Sequence, residues 1–330
     1  MSSSHDKRLL HQAAQIAASG HGRVEPNPLV GCIITNQDDV IVGKGFHEKF
    51  GEAHAEINAL NMARENAKNG TAYITLEPCN HHGKTPPCSH ALIDSGVSRV
   101  VIGARDPHQQ ASGGASYLQE HGVEVDIVAD EICKELIAPF THRLNTDLPW
   151  ITCKWAQTID GCTETPLGES PWISCEESQQ CVHTERGSVD AIIVGVGTVL
   201  SDNPSLTVRG ATEHRTPIRV VIDPNLRTPI EANILNQDAP SLVVCSESAD
   251  TALYDSINLL TLPTLDGVMN LVPLFEYLVS TYDATHVLVE GGSTLIQHLI
   301  KQKLVNDLWI FTSQHKSTMT PKVNMNEVVQ

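Results

Sequence analysis

Two consecutive α/β domains are predicted, and three features predict them. Short apolar runs alternate with amphipathic stretches along both halves, a polar, proline-ended junction lies near the middle, and 330 residues suffice for two cores. The junction is Asn145-Thr146-Asp147-Leu148-Pro149, a composition suited to a boundary. Domains are therefore expected over residues 1–145 and 150–330.

The first half opens with Leu9, Leu10, Ala13, Ile16 and Ala17 at helical spacing within residues 5–19, stopped by Gly20 and Gly22. Pro26-Asn27-Pro28 makes a rigid loop, because each proline fixes φ. Residues 29–35 and 40–45 read as strands joined by a polar turn at 36–39, and 53–67 as a helix whose first turn bears His54 and Glu56. Strands at 71–76, 99–103 and 124–128 then alternate with helices at 89–95, 116–121 and 130–144. That alternation predicts a largely parallel sheet between helical layers.

Beyond the junction the pattern begins again. Strands are predicted at 150–156, 191–195, 218–223, 241–246, 286–290 and 307–312, with helices at 176–186, 269–281 and 294–303. Residues 209–215 and 227–240 read as loops. No repeat relates the halves, and no low-complexity segment stands out.

Charge and cysteine usage narrow the function classes. A formal net charge of −17 with no basic run argues against DNA, tRNA or any other polyanionic partner. Small anions stay within reach, since one Lys or Arg and a helix N-terminus suffice to hold a phosphate. The opening residues have no apolar core of signal-peptide length, and no stretch approaches the ~20 apolar residues of a membrane span. A cytoplasmic protein without a membrane partner is expected. Nine cysteines, an odd number, read as thiols and metal ligands rather than a disulfide framework. Cys32, Cys133, Cys153, Cys162, Cys175, Cys181 and Cys245 show no metal spacing and read as ordinary small residues.

The remaining two cysteines carry chemistry. His54-Ala55-Glu56 and Pro78-Cys79 followed by Cys88 offer one imidazole and two thiolates, a ligand set suited to Zn²⁺. A zinc held by three protein ligands keeps a position for water and activates it, and Glu56 is free to move protons. The arrangement follows the zinc-deaminase signature H-x-E…P-C-x-x-C, with the second half stretched by the loop between Cys79 and Cys88. A closed structural site is the competing reading, with a fourth ligand from His81, His82 or His90. A structural zinc needs no carboxylate beside it, so Glu56 favours catalysis. In the second half, Gly195-Val196-Gly197-Thr198 and Glu290-Gly291-Gly292-Ser293 follow apolar runs, as phosphate-cradling turns do. Neither has the Rossmann fingerprint, and each alone reads as an ordinary strand-to-helix turn.

The stretches HAE and TLEPCNHHGKTPPC, preceded by PNPLVG and followed by ARDP, closely resemble the bifunctional riboflavin-biosynthesis deaminase/reductase family. KWAQTIDG, GESPWIS, GVGTVLSDNPSLTVR and LVEGGS resemble the reductase part of the same family, in the family's order. The resemblance runs from about His5 to about Thr312. It implies a cytidine-deaminase-like α/β/α sandwich followed by a dihydrofolate-reductase-like α/β domain. The first would deaminate 2,5-diamino-6-ribosylamino-4(3H)-pyrimidinone 5′-phosphate hydrolytically, and the second would reduce the ribosyl group to ribityl with NADPH. A homodimer or homotetramer is implied as well.

By position, the resemblance makes His54, Cys79 and Cys88 zinc ligands and Glu56 the proton shuttle. It places Asn27, His47, His81, Lys84 and Asp106 around the pyrimidine and ribose phosphate. In the second half it places Lys154, Ser170, Arg186, Leu206, Arg209 and Glu290 on the substrate side, and Ala156, Trp172, Thr198, Asp202 and Gly292 on the NADPH side. Without it, His47 passes for a surface histidine, Trp172 and Leu206 for core, and Arg186 for a solvated helix residue. Departures exist: His108 stands where the family has Asn, Thr158 where Ser is common, and Cys162 where Lys or Arg is common. After Ser313 the family's closing Pro-Lys-hydrophobic-Gly pattern is absent, so a shortened or rebuilt end is expected. Three rival readings follow: a deaminase with an inactive reductase-like domain, a non-catalytic zinc-stapled binding protein, and a nucleic-acid deaminase, which the acidic composition disfavours.

Overall fold

The computed structural model describes residues 3–81, 87–108, 112–163, 173–265, 267–314 and 316. The chain divides into two compact units, Met1–Thr146 and Asp147–Gln330.

In the first unit, α1 (Ser4–Ala17) starts at Ser3, whose hydroxyl accepts the Asp6 N–H while the Asp6 carboxylate accepts the Ser3 N–H. This reciprocal cap satisfies N–H groups that a helix start otherwise leaves open. Leu9, Leu10 and Ala13 of α1 pack with Ile33, Tyr73 and Val101 on one face of the sheet. The strands are β1 (Gly31–Thr35) and β2 (Ile41–Phe46), then β3 (Thr71–Leu76), β4 (Arg99–Ala104) and β5 (Glu124–Ile127), in the order β2-β1-β3-β4-β5. Between them lie α2 (Ala55–Ala63), α3 (Cys88–Asp94) and α4 (Gly114–Glu120), followed by α5 (Glu131–Leu136) and α6 (Ala138–Thr146).

The sheet is mixed rather than largely parallel, because β1 runs antiparallel to both β2 and β3, while β3, β4 and β5 are parallel. The cause is the tight reversal at 36–40, where the Asn36 side chain accepts the N–H groups of Asp38 and Val40. The helix expected over 130–144 is broken into α5 and α6 at Ile137, two residues before Pro139, whose ring and missing N–H do not fit a helix interior. Helix α2 lies hard against β2: a Cβ at Gly45 would sit 2.4 Å from the Ala55 oxygen, and one at Gly43 2.3 Å from the Ala59 oxygen. Ala55, Ala59 and Ala63 are fully buried, so small residues on both partners set the depth of α2 and hence the position of its first turn.

The second unit is built on seven parallel strands in the order β10-β9-β8-β7-β13-β6-β14. In chain order its elements are β6 (Trp150–Thr158), α7 (Glu176–Arg186), β7 (Ala191–Gly195), α8 (Val196–Asp202), β8 (Ile218–Ile222), β9 (Ser241–Ser246) and β10 (Leu259–Leu262). The hairpin β11 (Thr264–Leu265) and β12 (Val268–Met269) leads to α9 (Val272–Tyr282), β13 (His286–Val289), α10 (Ser293–Lys301) and β14 (Asp307–Ser313). Leu274, Phe275 and Leu278 of α9 and Leu295, Ile296 and Leu299 of α10 fill one face, and Val196, Val199, Leu206 and Tyr254 the other.

Strand β10 and helix α8 are additions to what the sequence predicts, and the helix expected from residue 269 begins at Val272 because the hairpin takes Val268 and Met269. Both units are α/β, as expected. The expectation of a shortened end concerns residues 317–330, which lie outside the described residues. Among the described residues no helix is long and apolar enough to cross a membrane.

Candidate active sites

Two helix starts and one strand end converge in the first unit. His54 is the residue before α2, Cys88 opens α3, and Cys79 follows β3. The His54 Nδ1 lies 3.3 Å from the Cys88 Sγ and 3.7 Å from the Cys79 Sγ, and the three atoms fall within 4.8 Å of one another. Tetrahedral zinc, with Zn–S near 2.3 Å and Zn–N near 2.1 Å, places such donors about 3.6 Å apart. The donor set therefore fits zinc in type and spacing. The hydrogen bond from Cys88 lowers the Cys79 pKa, against the effect of burial and with help from His54. The Cys88 N–H also points at the Cys79 sulfur, at 3.4 Å.

The expected alternative of a closed site finds no fourth ligand among the described residues: His81 is exposed, and the His90 ring stacks on Tyr117 at 4.6 Å. His82 lies outside them.

Glu56 is 3% exposed, and its Oε2 has no hydrogen-bond partner. Burial raises its pKa above the usual carboxylate value, while neighbouring His54 works the other way. A buried carboxylate with a free oxygen beside three metal-type donors is equipped to take and return a proton.

The structure also brings Asn27 and His47 to this place. His47 is buried, its Nδ1 donates to the Ala53 oxygen at 3.1 Å, and its Nε2 accepts the Asn27 amide at 3.1 Å. Burial lowers the His47 pKa, which keeps the ring neutral and consistent with that pairing. Its ring meets the His54 ring edge-on, with centroids 5.4 Å apart. Asp106 follows β4 and is turned by its own bond from the His108 N–H, at 2.8 Å. Burial raises its pKa, a shift that Glu77 and Cys79 nearby reinforce. Lys84 lies outside the described residues.

Sequence reasoning misses Glu77. Its Oε1 accepts the N–H groups of Gly113 and Ala115, both at 3.1 Å, at the start of α4, and its Oε2 lies 3.9 Å from Arg105. It thus ties down the start of α4, close to Arg105, the residue before Asp106. The signal was a glutamate two residues before Cys79 at the end of an apolar strand, where a charge is out of place unless paired.

In the second unit a charged cluster forms where the ends of β13 and α7 meet the middle of β6. Glu290 accepts from Arg186 through both oxygens, at 2.5 and 3.0 Å, and the Lys154 Nζ lies 4.0 Å from its Oε2. Burial would raise the Glu290 pKa, but Arg186, with Lys154 and His183, outweighs it and holds the carboxyl below its usual value. Burial lowers the Lys154 pKa, partly offset by Glu290. Arg186 also donates to the Thr207 oxygen at 3.2 Å, next to buried Leu206. Arg209 is exposed, and its backbone N–H donates to the His183 Nδ1 at 3.2 Å.

Of the proposed cofactor residues, Thr198 and Gly292 meet at the glycine turns. Gly195 and Gly292 are the residues before α8 and α10, which follow the neighbouring parallel strands β7 and β13. A Cβ on Gly292 would stand 3.9 Å from the Thr198 hydroxyl, and one on Gly197 would meet nothing within 4 Å. Open glycine turns at a helix start at the carboxyl ends of parallel strands suit a nucleotide phosphate, so the residues present fit NADPH. Ala156 lies two residues after Lys154 on β6, on the same face, and Asp202 is exposed at the end of α8. Ser170 and Trp172 lie outside the described residues.

The departures Thr158 and Cys162 form a single turn. The Thr158 N–H donates to the Cys162 oxygen at 2.9 Å, the Cys162 N–H donates to the Thr158 hydroxyl at 3.1 Å, and Gly161 between them has φ +83°. Threonine supplies the hydroxyl that serine would, and Cys162 is buried.

Comparison with known proteins finds a family match within each unit. Residues 3–104 match the cytidine and deoxycytidylate deaminase zinc-binding region, and residues 149–313 match the RibD C-terminal domain. The chain is 38% identical over 312 residues to riboflavin biosynthesis protein RibD of Aquifex aeolicus, covering 93% of this chain and 86% of that one. It is 36% identical over 321 residues to the protein of the same name from Escherichia coli, covering 93% and 87%. A Thermotoga maritima crystal structure, described as a diaminohydroxyphosphoribosylaminopyrimidine deaminase/5-amino-6-(5-phosphoribosylamino)uracil reductase, superposes with a TM-score of 0.80 at 33% identity, covering 97% of this chain and 90% of that one. RibD of Acinetobacter baumannii superposes with a TM-score of 0.76 at 33% identity, covering 96% and 88%. The chain belongs to the RibD family and is a bifunctional deaminase and reductase of riboflavin biosynthesis.

Proposed function

We propose that the deaminase lies in residues 1–145 and the reductase in 150–330, and that each works through the residues gathered above. The deaminase substrate is 2,5-diamino-6-ribosylamino-4(3H)-pyrimidinone 5′-phosphate. His54, Cys79 and Cys88 hold Zn²⁺, which when bound supplies Lewis-acid activation of water, lowering its pKa to about 7. Glu56 accepts a proton from the water and returns it to the departing amine nitrogen, so that the ring carbon exchanges its C–N bond for C–O and ammonia leaves. Asn27 and His47, locked to each other, meet the ring edge, while His81, Lys84 and Asp106 complete the pyrimidine and ribose phosphate contacts.

In the reductase, NADPH when bound would supply the hydride, and solvent the accompanying proton, that together convert the ribosyl group to ribityl. Lys154, Ser170, Arg186, Leu206, Arg209 and Glu290 orient the ribose phosphate, and Ala156, Trp172, Thr198, Asp202 and Gly292 hold the cofactor. A cytoplasmic homodimer or homotetramer is the form proposed.

The observation that carries this reading is the buried, unpartnered Glu56 oxygen beside three zinc-type donors. Stripping the metal with a chelator tests it. Ammonia release should stop and return on adding Zn²⁺, while NADPH oxidation with supplied deaminated substrate continues throughout. Deamination that persists in protein shown to be zinc-free would overturn it.

A further inference from the structure

Arg219 is a fully buried charged side chain in the apolar strand Ile218-Arg219-Val220-Val221-Ile222. Burying a guanidinium is strongly unfavourable unless its donors are met. Its hydrogen-bond partners are all neutral oxygens. Nη1 donates to the Ser205 oxygen at 3.2 Å, the Asn233 oxygen at 3.4 Å and the Asn236 side chain at 2.8 Å. Nη2 donates to the Asn236 oxygen at 2.6 Å and to the Ala239 oxygen. Its Nε is buried without a partner. A core position needs none of this, and the other residues of the strand are aliphatic.

Four of these bonds go to residues 233–239, and the fifth, to the Ser205 oxygen, ties that hub to the segment after α8. Leu206 has φ +51°, a left-handed conformation that a bulky residue adopts only when its surroundings enforce it. The carbonyls on either side of it are each taken by an arginine: Ser205 by Arg219, and Thr207 by Arg186 at 3.2 Å. The same hub is tied to the start of the segment. The Asn203 side chain accepts the Asn233 N–H at 2.9 Å, and the Asn233 amide donates back to the Asn203 oxygen at 2.9 Å.

We infer that Arg219 is a positioning residue of the reductase, fixing the Ser205 carbonyl so that Leu206 and Arg209 are presented to the phosphorylated ribosyl substrate. The inference rests on the proposed substrate-side roles of Leu206 and Arg209. Arg219 itself touches no substrate. It acts through the backbone it anchors, and Arg186 anchors the far side of the same segment.

Arg219→Lys keeps the charge, but one ammonium cannot reach both Ser205 and the 236–239 segment. In the full-length enzyme, the KM for deaminated substrate should rise about tenfold or more, while the NADPH Kd and the deamination rate stay within about twofold. Asn203→Gly, whose residue at φ +42° glycine adopts freely, removes one tie from the surface and should raise the same KM by about threefold. That variant decides the matter if Arg219→Lys does not fold. Equal losses of NADPH and substrate binding, or an unchanged substrate KM in both variants, overturn the positioning role. Arg209→Ala separates the two layers: if it raises the substrate KM while the others do not, the role of Arg219 alone is wrong. An unchanged KM in Arg209→Ala overturns the substrate-side reading beneath it.

Discussion

The two sites solve opposite electrostatic problems. In the first unit the carboxylate at the centre, Glu56, is buried with one oxygen unpartnered, and burial raises its proton affinity. In the second, Glu290 is somewhat less enclosed, with its side chain 9% exposed, and Arg186 grips both of its oxygens and lowers its proton affinity. The difference matches the chemistry. In the proposed roles, Glu56 carries a proton during turnover and must be ready to bind one, whereas Glu290, held ionised by Arg186, supplies fixed charge that orients the substrate while the proton that accompanies the hydride comes from solvent. Burial sets the scale in both places, and the partner decides the sign.

The sharpest way to break the comparison is to remove the partner relationship in the second site. Glu290→Gln leaves Arg186 and Lys154 enclosed without their counter-charge, a loss that costs about 3–5 kcal/mol when a buried pair is broken. Reduction should fall by about a hundredfold or more, with ammonia release unchanged. NADPH oxidation near the wild-type rate would show that the Glu290 pair is not part of the site.

A smaller effect sharpens the same point outside the active sites. Asp6 is a paired carboxylate like Glu290: burial alone would raise its pKa, but Arg99, at 3.0 Å, and the Ser3 cap hold it down to about 2. Because the folded value is depressed below the ordinary one near 3.8, the stabilisation is complete above about pH 4 and is lost as pH falls through about 2. Acid unfolding of the first unit should show that window, and Asp6→Asn should flatten it. An identical acid profile for the variant would remove Asp6 from the account.

Legibility in the sequence followed the same division between local and distant causes. His54, Glu56, Cys79 and Cys88 could be found because their chemistry restricts residue type at short spacing, and the folded chain brings the three donors within 4.8 Å. The elements that were misread turn on geometry between segments. Strand β1 runs antiparallel to both neighbours, which periodicity cannot report, and the single helix read over 130–144 passed over Pro139, where α5 gives way to α6. Helix α8 begins at Val196, between two glycines that read as a turn. Glu77 and Arg219 were invisible as roles because their partners lie far along the chain, Gly113 for one and Ser205 and Ala239 for the other. Each still left a trace, a charged residue inside or ending an apolar strand.

The most direct measurement is NADPH oxidation by the Glu56→Gln enzyme, checked to retain zinc, with each of two substrates in turn. Supplied deaminated substrate should be reduced at the wild-type rate, and the diaminopyrimidine phosphate should give neither ammonia nor NADPH oxidation. Ammonia release from the diamino substrate at the wild-type rate would contradict the assignment of the proton-moving role to Glu56, and with it the contrast between the two sites.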